Sequence, residues 1–111
     1  MATYITQGRY TREAIKGMIV KPEDRADAVS RVVAKAGGRL IGYYITFGEY
    51  DFLTISEVPG DIQMMATLLA VASGGGVTDL HTTVAMTSTD ATGAFAAAAD
   101  LAPGFKSAGG V

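Results

Sequence analysis

The chain contains no cysteine. That removes disulfides, thiolate-ligated zinc and thiol nucleophiles together. It also fits a reducing compartment, and the expected location is cytoplasmic. Tryptophan is absent too, and there is one histidine, His81. A single imidazole with no second ligand at metal spacing is poor material for a zinc or non-haem iron site. No stretch is dense in Lys and Arg, so the electrostatic footprint of nucleic-acid binding is missing. No apolar run approaches the ~20 residues of a membrane-spanning helix. The first ten residues lack the basic start and apolar segment of a signal peptide. Neither a nucleic acid nor a membrane is expected as a partner.

Charge itself is scarce, at 18% of residues, against the roughly 25% usual in soluble domains. Hydrophobic residues reach 49% in a chain of only 111. A chain this short leaves much of its surface exposed. Low charge and high apolar content together imply that some of that surface is covered by another subunit. The expected partner is the chain itself, as a homodimer or a higher homo-oligomer.

Patterning yields a sequence of elements. Residues 2–10 are rich in β-branched and aromatic side chains and predict a strand. Thr11 is placed to cap a helix over 12–20. Lys21-Pro22 interrupts that helix, and a second is expected over about 22–36. Its apolar stripe is Ala26, Val29, Val32, Val33 and Ala36, with Arg25, Asp27, Arg31 and Lys35 facing water. Gly37-Gly38 reads as the stop. Residues 39–47 and 52–58 form two strands joined by Gly48-Glu49-Tyr50-Asp51. Asp61 is expected to cap a helix whose core face is Ile62, Met65, Ala66, Leu69 and Ala72. The run Ser73-Gly74-Gly75-Gly76 ends that helix instead of opening one, so it is a stop and not a phosphate cradle. Residues 77–87 predict the last strand.

The order strand, helix, strand, strand, helix, strand is the split βαβ, or ferredoxin-like, pattern of an α+β domain. It gives a four-stranded antiparallel sheet with both helices on one face. Residues 1–87 form that domain, and 88–111 form a tail. In the tail a short Ala-rich helix is expected at about 91–101, with a flexible end. The uncovered sheet face is expected to carry Tyr4, Thr6, Leu40, Tyr44, Thr46, Phe52, Thr54, Asp79, His81 and Thr83. That set is too apolar to stay solvated, and its simplest cover is a second copy.

The stretch from Tyr43 to Asp51 resembles the signature of the GYD domain family, named for the residues matched here by Gly48, Tyr50 and Asp51. The Thr3-Tyr4 strand, Arg9-Tyr10-Thr11 and Ala36-Gly37-Gly38-Arg39-Leu40 look similar as well. The resemblance covers about residues 2–87. It implies the dimeric α+β barrel arrangement and no particular activity. Related barrel families include small-molecule monooxygenases, haem-binding enzymes and isomerases.

Several side chains are candidates for chemistry. His81, Asp79 and Thr83 share a strand face, and His81 with Asp79 or Asp51 makes an acid–base set. A lone histidine also suits an axial haem position, although no cofactor is identified by the residues. Tyr4, Tyr44, Tyr50, Phe52 and Thr54 are candidate ligand-binding residues in a cavity between facing sheets. The same side chains equally describe an ordinary dimer core and a hairpin turn. Two functions stay open. One is an oligomeric domain that binds a small apolar or aromatic molecule or serves only in assembly. The other is a monooxygenase- or isomerase-like enzyme, with or without haem, using His81 in the barrel cavity.

Overall fold

The computed structural model describes residues 1–110. Along them run β1 (Ala2–Tyr10), α1 (Arg12–Val20), α2 (Ala26–Lys35), β2 (Arg39–Ile45), β3 (Phe52–Val58), α3 (Asp61–Ser73), β4 (Val77–Ala85) and α4 (Ser88–Leu101), then a 3-10 turn at Ala102–Gly104. The strands pair in the order β2-β3-β1-β4, every pair antiparallel. This is the ferredoxin-like α+β arrangement that the element order predicts.

Local signals start and stop these elements. The Thr11 hydroxyl accepts the Ala14 amide at 3.2 Å, which satisfies one of the free donors opening α1. The second helix begins later than the pattern suggests, because Pro22, Glu23 and Asp24 stay outside it. The Asp24 carboxylate then accepts the Ala26 amide at 2.9 Å. At the far end Gly37 takes a positive φ of 88°. The Gly38 amide closes the turn onto the Val33 carbonyl at 3.0 Å. A Cβ on Gly38 would lie 2.0 Å from the Glu57 carbonyl oxygen, so only glycine lets β2 enter beside β3 here.

Alternation along the central strands separates the two faces of the sheet. Tyr4, Thr6 and Gly8 of β1 are buried, as are Phe52, Thr54, Ser56 and Val58 of β3. The register sets Thr6 opposite Thr54 and Tyr4 opposite Ser56. These residues face the helices: Tyr4 and Val58 form one core cluster with Val33 of α2 and Met64 of α3. Burying each large apolar side chain contributes roughly 1.5–3 kcal/mol. The Tyr4 hydroxyl donates to Asp61 at 2.5 Å and pins β1 to the first turn of α3.

The expected face assignment is therefore corrected. Tyr4, Thr6, Leu40, Phe52 and Thr54 lie under the helices, whereas Tyr44, His81 and Thr83 lie on the open side. Two irregularities defeat simple alternation. One falls between Leu40 and Gly42, so Leu40 and Tyr43 share a side; the other falls between Gln7 and Arg9. Thr46 lies beyond β2, in the turn. The open side carries Thr3, Ile5, Gln7 and Arg9 of β1, with Leu53, Ile55 and Glu57 of β3.

Helix α3 also turns differently. Its buried residues are Met64 and Thr67, and Ile62, Met65 and Leu69 are exposed. The helix is apolar nearly all round, so periodicity does not select a face. Asp61 is its first residue and Gly60 occupies the cap position. The stripe on α2 is as expected, with Val33 buried and Arg25, Asp27, Arg31 and Lys35 exposed. The tail helix is longer than its pattern suggests, because the Thr87 hydroxyl caps it by accepting the Asp90 amide at 3.1 Å. It buries no residue, and the molecule is accordingly elongated, 61 × 32 × 21 Å.

Candidate functional site

The core-facing positions of the two central strands are short or hydroxylated: Thr6, Gly8, Thr54 and Ser56. Such side chains do not span the gap between a sheet and the helices above it. Ala14 and Gly17 of α1, which also border this space, are small as well. The result is a cavity of about 400 Å³ between the sheet and α1, α2 and α3. Protein interiors are close-packed, and voids larger than a water molecule are few. This one falls within the roughly 300–1,000 Å³ of small-molecule sites.

Its floor is Thr6, Tyr43, Phe52, Thr54 and Ser56, and its roof includes Met18, Val29, Met64 and Val71. Charged side chains reach it only at the exposed α1–α2 connection, through Lys21, Glu23 and Arg25. There Arg25 pairs with Glu23 at 2.8 Å. A smaller pocket of about 210 Å³ adjoins it, lined by Ile45 and Asp24 and by two tyrosines, Tyr10 and Tyr43, that also line the larger one.

That pair is the most polar feature of the cavity wall. The Tyr10 and Tyr43 hydroxyls are 2.5 Å apart, one donating to the other. Both rings pack on Phe52, with centroids 5.1 and 5.9 Å away. Burial pushes the Tyr10 phenol well above its ordinary pKa, and the bond to Tyr43 adds to that rise. Burial also raises Tyr43, against the opposing effect of the bond from Tyr10. Two floor hydroxyls are weakly engaged. Thr54 reaches the Thr6 carbonyl at 3.5 Å, and Ser56 reaches the Met64 sulfur at 3.9 Å. Such lengths are at the limit of useful hydrogen bonding.

A second constellation forms on the turn between β2 and β3. Gly48 takes a φ of 98°, a conformation that favours glycine. Asp51 ties the turn to β1: its carboxylate accepts the Tyr10 amide at 2.9 Å, and its amide donates to the Gly8 carbonyl at 2.8 Å. Thr46 closes the hairpin by donating its hydroxyl to the Tyr50 carbonyl at 2.8 Å. Arg9 then donates to the Glu49 carbonyl at 2.8 Å, while its guanidinium lies 5.1 Å from the Tyr50 ring centre. It also pairs with Asp79 at 3.2 Å. The His81 ring stacks near Tyr50, with centroids 6.0 Å apart and planes 23° apart.

The expected site residues are thus divided. Phe52 and Thr54 line the cavity; Tyr4 lies in the core cluster. His81, Asp79, Tyr50 and Asp51 gather at the turn, and Tyr44 is exposed on the open side. Asp79 is paired with Arg9, and Asp51 holds backbone. Sequence reasoning missed Tyr10, Tyr43 and Ser56. The available signal was the repeated short hydroxyl residue at one phase of β1 and β3. Among the described residues, no group of three or more His, Asp or Glu is placed to hold a metal ion. Among them, too, no helix is long and apolar enough to cross a membrane.

A model of the GYD domain matches residues 4–95, reaching past the last strand into α4. No curated protein matches the chain. Among solved structures, the protein TTHA0845 from Thermus thermophilus is similar with a TM-score of 0.52 and 17% identity, covering 79% of this chain and 96% of that one. The hypothetical protein PHS023 from Pyrococcus horikoshii has a TM-score of 0.51 and 12% identity, covering 78% of this chain and 92% of its own. Likeness at these identities establishes the fold alone.

Proposed function

The chain belongs to the GYD domain family, and on that footing we propose a homo-oligomeric domain that takes a small, largely apolar molecule into the cavity beneath its helices. The observation that carries this reading is the 400 Å³ cavity itself, open at the α1–α2 connection, with aromatic and aliphatic walls and a few hydroxyls. Its apolar walls are in contact with water, and an apolar ligand that fills it removes that surface from water. This reading puts the ligand on the helix side of the sheet, where the cavity lies, in place of the expected site between facing sheets.

The open side supports the oligomer. Ile5, Leu53, Ile55 and Tyr44 together make a face that a second copy would cover, closing a dimeric α+β barrel. Arg9, Tyr50 and His81 would then stand at the rim of that interface. The acid–base reading of His81 draws less support. Its ring lies across the sheet from the cavity, and Asp79 and Asp51 are engaged by Arg9 and by the Tyr10 amide.

The test uses the neutral fluorophore N-phenyl-1-naphthylamine. Met18 of α1 is half-buried and lines both the cavity and the pocket beside it. Met18→Trp therefore adds side-chain volume at the cavity wall without introducing charge. The wild type should brighten the probe, and Met18→Trp should lose most of that signal with an unchanged circular dichroism spectrum. Equal enhancement by both proteins would mean that the probe binds elsewhere and that the cavity reading is wrong.

A further inference from the structure

We propose that the molecule held in this cavity is uncharged and carries a ring carbonyl, which accepts the one phenolic proton that the Tyr10–Tyr43 pair leaves over. The inference rests on the cavity reading above and narrows it to a ligand class.

Two phenols hold two protons. One lies in the 2.5 Å bond between them. Among the described residues, neither hydroxyl makes any other side-chain bond, so the second proton has no protein acceptor. Both groups stay protonated at neutral pH, since burial raises their pKa values. The pair is thus a standing donor on the wall of an apolar space. Both residues are half-buried, so water can take this proton in the empty cavity. A ligand that fills the space displaces that water and must supply an acceptor in its place, or the donor is left unpaired at a cost of about 1–3 kcal/mol.

Charge argues for a neutral acceptor. The floor residues are all uncharged, and the charged residues at the mouth are exposed. The cation nearest the tyrosine pair, Arg25, is already paired with Glu23 at 2.8 Å. A carboxylate on the floor would therefore lose its hydration for a shared counter-ion at the mouth, which costs more than burying a neutral carbonyl. The walls argue for a ring. Phe52 packs with both tyrosines, and Met18 and Met64 lie on the helix side as adaptable, polarizable contacts. Ser56 and Thr54, with their long bonds, leave capacity for a second oxygen on the same ligand.

The test compares three matched probes on the full chain by calorimetry: 1-tetralone, tetralin and tetralin-1-carboxylate. The ketone should bind about fivefold tighter than the hydrocarbon, the worth of one neutral hydrogen bond, and the carboxylate should bind weakest. The infrared carbonyl band of bound 1-tetralone should fall below its position in an apolar solvent. In Tyr10→Phe/Tyr43→Phe the ketone should drop to the affinity of tetralin, whose own binding reports that the cavity is intact. Should that variant fail to fold, the infrared band in the wild type decides alone. Equal binding of ketone and hydrocarbon, with an unshifted band, overturns the carbonyl assignment and leaves the cavity reading standing. Tightest binding by the carboxylate overturns the neutrality. Failure of all three probes to bind overturns the cavity reading together with this one.

Discussion

Three of the five tyrosines have raised pKa values in the folded chain. For Tyr4 the main cause is the hydrogen bond to Asp61, and for Tyr10 and Tyr43 it is burial. In the unfolded chain each ionises near the ordinary value of about 10. Above that pH the unfolded state binds fewer protons than the native state, so stability falls as pH rises; below it the contribution is complete. The urea midpoint should therefore show no tyrosine-linked loss up to about pH 9 and should decline beyond about pH 10. Tyr10→Phe should flatten part of that decline. A midpoint that holds steady to about pH 12 would contradict the burial of these phenols. At this scale the sequence was only partly readable. Tyr4 and Thr54 stood out as functional candidates, but Tyr10 and Tyr43 did not, because they meet only through the antiparallel pairing of three strands.

The elements themselves were legible wherever a local rule governs them. Thr11 caps α1 and the Gly37-Gly38 pair stops α2, each by a bond between near neighbours. Faces were less legible. A bulge shifts the side-chain phase of a strand by one residue without changing its composition, and a helix apolar on most sides has no preferred core face in its pattern. Helix α4 presents the simplest case. It buries nothing, and no atom lies within 4 Å of a Cβ built on Gly93 in its interior. Gly93→Ala should stabilise this helix locally by about 1 kcal/mol. Ellipticity in the far ultraviolet should deepen and amide exchange across 88–101 should slow, with the midpoint of the main unfolding transition unchanged. A fall in that midpoint would reveal that residue 93 is packed against something the single chain does not contain.

The whole molecule has two different sides. Beneath the helices lies a cavity; on the other side lies a sheet face with Tyr44 at 57% exposure. If two such faces meet, a charge in the contact is desolvated without a partner. Tyr44→Asp should reduce the mass seen by light scattering to that of one chain, while the cavity, on the opposite side, still enhances the naphthylamine fluorophore. Retention of the wild-type mass in that variant would remove Tyr44 from the interface. Loss of both properties would instead mean that the two sides are not independent.

The amino-acid sequence alone determined the order of strands and helices, their stops and starts and the family signature, because alternation, capping and turn chemistry act between residues close along the chain. Which side of the sheet each residue faces was decided by two bulges and by the docking of α2 and α3, which are long-range events. The cavity follows from the same cause. Thr6, Thr54 and Ser56 are small in any context, and only the placing of the helices over the sheet turns their combined shortfall of volume into a space for a ligand.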